Sequence, residues 1–162
     1  MEAATIILVS ACLIGIDCNY KGENNLESWV LDLCNSYSVI PVCPEQLGGL
    51  TTPRLPSELK HGDGKSIWAK KEGCVINSKG EEFTPQFIFG AKQIIKMSRI
   101  LEIRHAIMKD KSPSCGVFNI FDGSFSGKLI QGMGVTAAGL YYEGIKIFSE
   151  KQNEEFGRLF LY

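Results

Sequence analysis

Thr5-Ile6-Ile7-Leu8-Val9-Ser10-Ala11-Cys12-Leu13-Ile14-Gly15 decides the fold. Its first half is an unbroken β-branched, apolar run. A strand with one wet face alternates polar and apolar residues. A continuous run belongs to a strand covered on both faces, as in parallel sheets. The run then breaks into small residues around a cysteine. The same pattern returns at residues 38–42 (SVIPV), which lead into Cys43-Pro44-Glu45, and at residues 104–109 (RHAIMK), which lead into Ser112-Pro113-Ser114-Cys115-Gly116. Residues 145–149 (IKIFS) read as a fourth strand.

Helical spacing fills the gaps between these strands. Leu26, Trp29, Val30 and Leu33 mark a helix over residues 26–34. Thr84 as cap and Pro85 at the first position open a helix running to about Leu101. Gly132-Met133-Gly134 opens another over residues 135–142, and a terminal helix follows the last strand. Residues 51–65 hold Pro53, Pro56, Gly62 and Gly64 and read as a loop. Short hairpins are expected around Asn77-Ser78-Lys79-Gly80 and at Asp122-Gly123. Alternating strands and helices predict an α/β fold, a mostly parallel, Rossmann-like sheet flanked by helices with small hairpin insertions and right-handed crossovers. At 162 residues, with no repeat or linker, residues 1–162 are expected to form one domain.

Composition excludes several classes. Apolar residues at 44% and charged residues at 22% are ordinary for a soluble protein. A net charge of -1 argues against a strongly basic nucleic-acid binder. No apolar run is long enough to span a bilayer. Met1-Glu2-Ala3-Ala4 lacks a basic n-region, so the apolar stretch after it reads as a strand and not a signal peptide, and a cytoplasmic location is expected.

Six cysteines stand out: Cys12, Cys18, Cys34, Cys43, Cys74 and Cys115. They are too sparse for a disulfide scaffold, and no C-x-x-C pair signals a zinc ribbon or ferredoxin. Taken singly, each is a small core residue. Three of them, however, follow the carboxyl ends of predicted strands, and ligands bind along that edge of an open parallel sheet. Cys12, Cys43 and Cys115 are therefore expected to share one crevice. Three thiolates suit a soft metal with one open position. Cys18 competes for a fourth place, while Cys34 and Cys74 read as structural. Glu45 and Ser112 stand beside these cysteines as a candidate base and nucleophile, and Arg54 as a contact for an anionic or carbonyl group. Gly132 and Gly134 complete neither phosphate-loop pattern, and His105, inside a strand, reads as core.

These residues carry a family resemblance. Val9-Ser10-Ala11-Cys12-Leu13-Ile14-Gly15 with Cys18 and Tyr20 resembles the DUF523 family, as does Pro41-Val42-Cys43-Pro44-Glu45-Gln46-Leu47-Gly48-Gly49-Leu50 with Thr52-Pro53-Arg54. Phe89-Gly90-Ala91, Lys109 with Ser112-Pro113-Ser114-Cys115-Gly116, Asp122-Gly123 with Phe125, and Gly132 with Gly134-Val135-Thr136-Ala137-Ala138 extend the match over nearly the whole chain. The chain departs from the family pattern at Asn19, Lys21 and Leu55.

The resemblance implies a thiouracil desulfidase with a [4Fe-4S] cluster on Cys12, Cys43 and Cys115 and one iron without a protein ligand. It also implies catalytic roles for Glu45 and Ser112. Arg54 and Ser114 are carried as candidate substrate contacts. The expected reaction is non-redox: thiocarbonyl sulfur meets the open iron, and an oxygen activated by Glu45 attacks the ring carbon. Longer relatives with a second domain act on thiolated tRNA. This near-neutral chain points instead to a small thiolated pyrimidine, free or as a nucleoside. A cluster-free persulfide sulfurtransferase and a non-enzymatic metal- or sulfur-binding module are the alternatives.

Overall fold

The computed structural model describes residues 5–160. Residues 1–4, which carry the reading of the amino terminus, lie outside the described residues. Four parallel strands form the main sheet: β1 (Ile6–Ser10), β2 (Ser38–Val42), β5 (His105–Met108) and β8 (Lys146–Ser149), in the order β2-β1-β5-β8. Ile6 to Ser10 pair in step with Ser38 to Val42, Ile7 with His105, and His105 with Lys146.

The unbroken apolar reading of β1 has a two-sided outcome. Ile7 and Val9, with Ile107 of β5, pack with Val30 and Phe156 on one face. Those partners come from α1 (Ser28–Asp32) and α6 (Asn153–Gly157). Leu8, with Ala106 and Met108, packs on the other face with Ile94 and Leu140. These belong to α4 (Thr84–Ile100) and α5 (Val135–Tyr142). Successive strand residues point to opposite faces, so the central strands β1 and β5 are dry on both, whereas β2, expected to be buried, is an edge strand buried only at Val42.

Chain order fixes where a ligand can enter. From β1 the chain moves outward to β2, then crosses back over β1 to β5 and β8. The reversal makes the carboxyl ends of β1 and β5 a topological switch point, where a crevice opens.

Three local readings are corrected. Residues 51–65 are not loop throughout: β3 (Ser57–Lys60) lies there, and α3 (Gly64–Trp68) begins there. Four mixed residues carry no period of their own, and β3 exists by pairing antiparallel with β4 (Cys74–Asn77), Ser57 opposite Asn77. The hairpin expected around Asn77–Gly80 does form: Gly80 N–H donates to Asn77 O at 2.9 Å, Asn77 N–H to Glu81 O at 2.9 Å and Phe83 N–H to Val75 O at 2.8 Å, with Glu82 opposite Ile76. Asp122-Gly123 is not a two-residue turn: β6 (Asn119–Phe121) and β7 (Leu129–Gln131) are joined by residues 122–128. Finally, Phe83 rather than Thr84 caps α4, and the Thr84 hydroxyl accepts the Val75 N–H at 2.9 Å, tying the helix to β4. Among the described residues no helix is long and apolar enough to cross a membrane.

Candidate active site

A cavity of about 580 Å³ lies outside the carboxyl ends of β1, β2 and β5, and Cys12, Cys18, Cys43 and Cys115 all line it. Its volume is that of a small-molecule site. Cys34 and Cys74 do not line it; one is exposed on the turn after α1 and the other half-buried on β4. His105 starts β5, at the opposite end of the strand from the cavity.

Each strand end delivers its cysteine by a different local device. After β1 the chain tightens into a 3-10 turn, Ala11–Ile14, closed by Gly15 at φ 92°, in the left-handed region that glycine enters without cost. Cys12 sits in that turn, with its carbonyl bound by Asn25 N–H at 2.9 Å. Cys43 caps the short helix α2 (Pro44–Leu47), with Pro44 in its first turn. A Cβ at Gly90 would lie 2.0 Å from Pro44 O, and one at Gly48 would lie 2.3 Å from Gln86 O. Only glycine at both positions lets α2 press backbone-to-backbone on α4, and that contact fixes Glu45 at the cavity wall.

Cys115 follows β5 in the Ser112–Gly116 loop. Ser112 Oγ accepts the N–H groups of Ser114 (3.2 Å) and Cys115 (3.1 Å). The carbonyls of Pro113 and Ser114 accept from Val135 and Thr136 in the first turn of α5, at 2.9 and 2.8 Å. A Cβ at Gly134 would stand 2.5 Å from the Ser114 carbonyl carbon. Gly134 therefore exists for this close approach, which accounts for the Gly-x-Gly that completes no phosphate-loop pattern.

Asp110 braces the same loop from below. Its Oδ1 accepts the N–H groups of Val117, Phe118 and Asn119 at 3.0, 3.0 and 3.2 Å. Burial works to raise this carboxyl, but the N–H groups outweigh it and hold it below its ordinary value. Asp110→Ala strands one buried and two part-buried donors and is expected to cost about 2–3 kcal/mol in urea unfolding of the cluster-free chain. The charge of Asp110 contributes stability above the unfolded carboxyl value near 3.9 and loses it as pH falls through the lower folded value. The stability gap between wild type and Asp110→Asn should accordingly hold steady from pH 7 to about 5 and shrink below about 4.

The polar side of the cavity is one connected network. Glu45, buried, accepts Arg54 Nε–H on Oε2 at 2.5 Å and the Ser114 hydroxyl on Oε1 at 3.0 Å. Ser114 Oγ is in turn 3.0 Å from Ser112 Oγ. Arg54, read from sequence as a contact for a ligand, also donates to Thr51 O, Thr52 Oγ1 and Cys18 O. Four of its five donors are thus committed to the protein, joining α2 to the Cys18 loop.

Thiol chemistry differs around the cavity. The Cys18 thiol lies beside those of Cys12 and Cys43, and the Cys43 thiol donates to the Cys18 carbonyl at 3.6 Å. Donation from Cys18 lowers Cys12, against its burial, with help from Asn25 and Lys109. The same donor lowers Cys43 to about 6, aided by the Gln46 N–H and Arg54. Cys18 itself is pushed up, because its single proton is held between these two neighbours. Burial pushes Cys115 up to about 12. Metals bind thiolate, so the lowered thiols of Cys12 and Cys43 suit a soft metal, whereas Cys115 would have to release its proton to serve as a ligand.

No three His, Cys, Asp or Glu side chains among the described residues converge on a point that would hold a single ion. A cubane cluster asks for something else, because its ligands attach to separate iron corners. Thiols from three separate strand ends lining one cavity, two of them lowered, fit that requirement.

Several residues around the cavity have partners that their sequence surroundings do not reveal. Ser10 closes β1 against β5 by accepting Lys109 N–H at 3.0 Å. Lys109 Nζ pairs with buried Glu150 at 2.5 Å. Asn25 and Glu58 also line the cavity. Their partners are distant in sequence, and only the fold brings them together.

Comparison with known proteins agrees with this layout. The 2-thiouracil desulfurase family matches residues 7–152. The uncharacterised protein YbbK of Bacillus subtilis (strain 168) is 37% identical over 147 residues, 91% of this chain and 97% of its own length. A solved structure described as the [4Fe-4S]-dependent thiouracil desulfidase TudS superposes with a TM-score of 0.83 at 34% identity, covering 96% of this chain and 97% of that one. The chain therefore belongs to the 2-thiouracil desulfurase family and is an enzyme of the thiouracil desulfidase type.

Proposed function

We propose that residues 1–162 form a single cytoplasmic desulfidase domain that converts small thiolated pyrimidines, 2- or 4-thiouracil or related nucleosides, to the oxo form with release of sulfide. The observation that carries this reading is one cavity in which Cys12, Cys43 and Cys115 face a carboxylate–hydroxyl chain, Glu45–Ser114–Ser112. Cys12, Cys43 and Cys115 are the residues that would hold a [4Fe-4S] cluster with one iron free of protein ligand. When bound, that cluster supplies Lewis acidity and an iron to take the sulfur.

The side chains supply the oxygen chemistry. Two N–H groups point at Ser112 Oγ and favour negative charge there. Its proton has a path through the Ser114 hydroxyl to Glu45. The Ser112 oxygen, or a water held by it, attacks the thiocarbonyl carbon as Glu45 takes that proton. The C–O bond forms, the C–S bond breaks, and the sulfur departs as sulfide; where the oxygen is that of Ser112, a water then attacks the same carbon, the Ser112 O–C bond breaks, and Ser112 recovers its proton as the oxo product leaves. The sum is water plus thiocarbonyl giving carbonyl plus hydrogen sulfide, with no net electron transfer. Arg54 orients Glu45 rather than the substrate.

A persulfide sulfurtransferase working through Cys12 or Cys115 would need no iron, so dependence on iron separates the two readings. Anaerobic reconstitution tests the reading directly. About four irons and four acid-labile sulfides per chain, with uracil and sulfide released one for one from 2- or 4-thiouracil, is the expected result. Desulfuration by an iron-free chain would overturn it.

A further inference from the structure

The cavity has an aromatic side that the oxygen chemistry does not use. Tyr20, Phe121 and Phe125 line it. Phe125 is the one whose position is built. It sits in the turn 122–128 at φ 56°, in the left-handed region that bulky residues avoid. Buried Glu58 of β3 holds it there: one oxygen, Oε2, accepts the Gly123 N–H at 3.0 Å and the Phe125 N–H at 2.9 Å. Gly123, at φ 86°, is pressed so close to β3 that a Cβ would stand 2.8 Å from Leu59 O. Asp122 closes the turn by accepting Ser124 N–H at 3.0 Å and donating its own N–H to Lys128 O at 3.1 Å. A buried carboxylate spent on two backbone donors, with an aromatic residue in a disfavoured conformation, is a device for aiming a ring. Backbone strain of this kind is retained where function needs the position.

We propose that Phe125 is the stacking surface for the flat ring of the thiolated pyrimidine, and that Glu58 is a positioning residue that acts through it. The inference rests on the proposed function and adds the feature that selects the substrate class. Thiols, Glu45 and the two serines meet the thiocarbonyl edge. An aromatic face meets the π-face of the ring, whatever its substituents. A conjugated, planar thiolactam gains from this contact, and a puckered, saturated one such as dihydro-2-thiouracil does not.

The test uses cluster-loaded chain under anaerobic conditions, with uracil binding followed by calorimetry on loaded and cluster-free samples. Phe125→Leu keeps apolar bulk and removes the π-face. Its expected effect is a rise of about 5- to 150-fold in KM for 4-thiouracil and in the uracil dissociation constant, with iron content unchanged and the loss falling on KM rather than kcat. Phe125→Trp should restore both. Glu58→Gln should raise both constants in wild type and add nothing in the Phe125→Leu background, as two residues acting through one contact do. Unchanged KM and uracil affinity in Phe125→Leu would overturn the stacking surface. Additive effects of the two substitutions would overturn the role of Glu58. Failure of the wild-type chain to bind uracil or 4-thiouracil would overturn the inference as well. A wild type that binds uracil but does not desulfurate counts instead against the proposed function.

Discussion

Cys12→Ser, Cys43→Ser and Cys115→Ser are each expected to leave anaerobically reconstituted chain without a full [4Fe-4S] cluster and without measurable desulfuration, whereas Cys18→Ser keeps both. The difference follows from what each thiol does. Cys12, Cys43 and Cys115 come from three separate strand ends and line one cavity. Replacing sulfur by a hydroxyl leaves a hard, protonated donor where a soft thiolate is wanted. Cys18 also lines the cavity, but as the protonated neighbour whose S–H lowers the Cys12 and Cys43 thiols by donation to either. Serine preserves that donation. Cys18→Ala does not, and loss of an outer partner of this kind typically lowers metal affinity about 10- to 100-fold. Iron and sulfide analysis on the same preparations, with Cys34→Ser as an untouched control, reads all of these together. A Cys18→Ser chain without iron would make the site one of four thiols. A Cys12→Ser chain with a full complement would end the assignment of the three strand-end cysteines.

The ease with which those three cysteines can be picked from sequence has a physical basis. Each of these parallel strands has a local signature, a short run dominated by apolar residues, and each is followed within a few residues by a cysteine beside a small residue or proline. Ile7 to Val9, Ser38 to Val42 and His105 to Met108 therefore locate the edge of the sheet before any pairing is known. The family motifs then supply Glu45 and Ser112. What sequence cannot supply is pairing between short or polar segments. β3 has four residues and no period, and it becomes a strand only beside β4. Glu58 on that strand looks like any surface glutamate until its carboxylate is seen under the turn at Gly123. Arg54 reads as a free cation nine positions from Glu45, because nothing in the intervening residues reveals that the chain folds back to join them. Ser114 reads as a substrate contact, and only the geometry sets its hydroxyl between Glu45 and Ser112.

That placement makes Glu45→Gln more damaging than the loss of one charge suggests. The carboxylate accepts on both oxygens, from Arg54 on one side and from Ser114 on the other. An amide has one acceptor and one donor end. Arg54 only donates, so the amide oxygen must face Arg54 and the NH2 must face Ser114. The Ser114 hydroxyl then accepts where it formerly donated, and its own proton turns toward Ser112. The path for the Ser112 proton is blocked at the first step as well as the last. General-base contributions are typically 10²- to 10⁴-fold, and a loss of about that size in kcat is expected, equivalent to about 3–5 kcal/mol of barrier. Iron content should stay at the wild-type level, because Glu45 is not among the assigned thiol ligands. Ser114→Ala cuts the same chain at its middle and should cost a comparable factor, and the double variant should be little worse than either alone, since residues acting as a unit are strongly non-additive. Ser112→Ala separates the two forms of the mechanism. It should abolish turnover if the Ser112 oxygen forms the new C–O bond, and leave a residual rate carried by water if Ser112 only holds that water. The decisive measurement is uracil release from 2- and 4-thiouracil with iron determined on the same samples. A fully loaded Glu45→Gln chain with near-normal uracil release would remove Glu45 from the proton path, and a chain that cannot hold iron would make Glu45 part of the cluster's support instead.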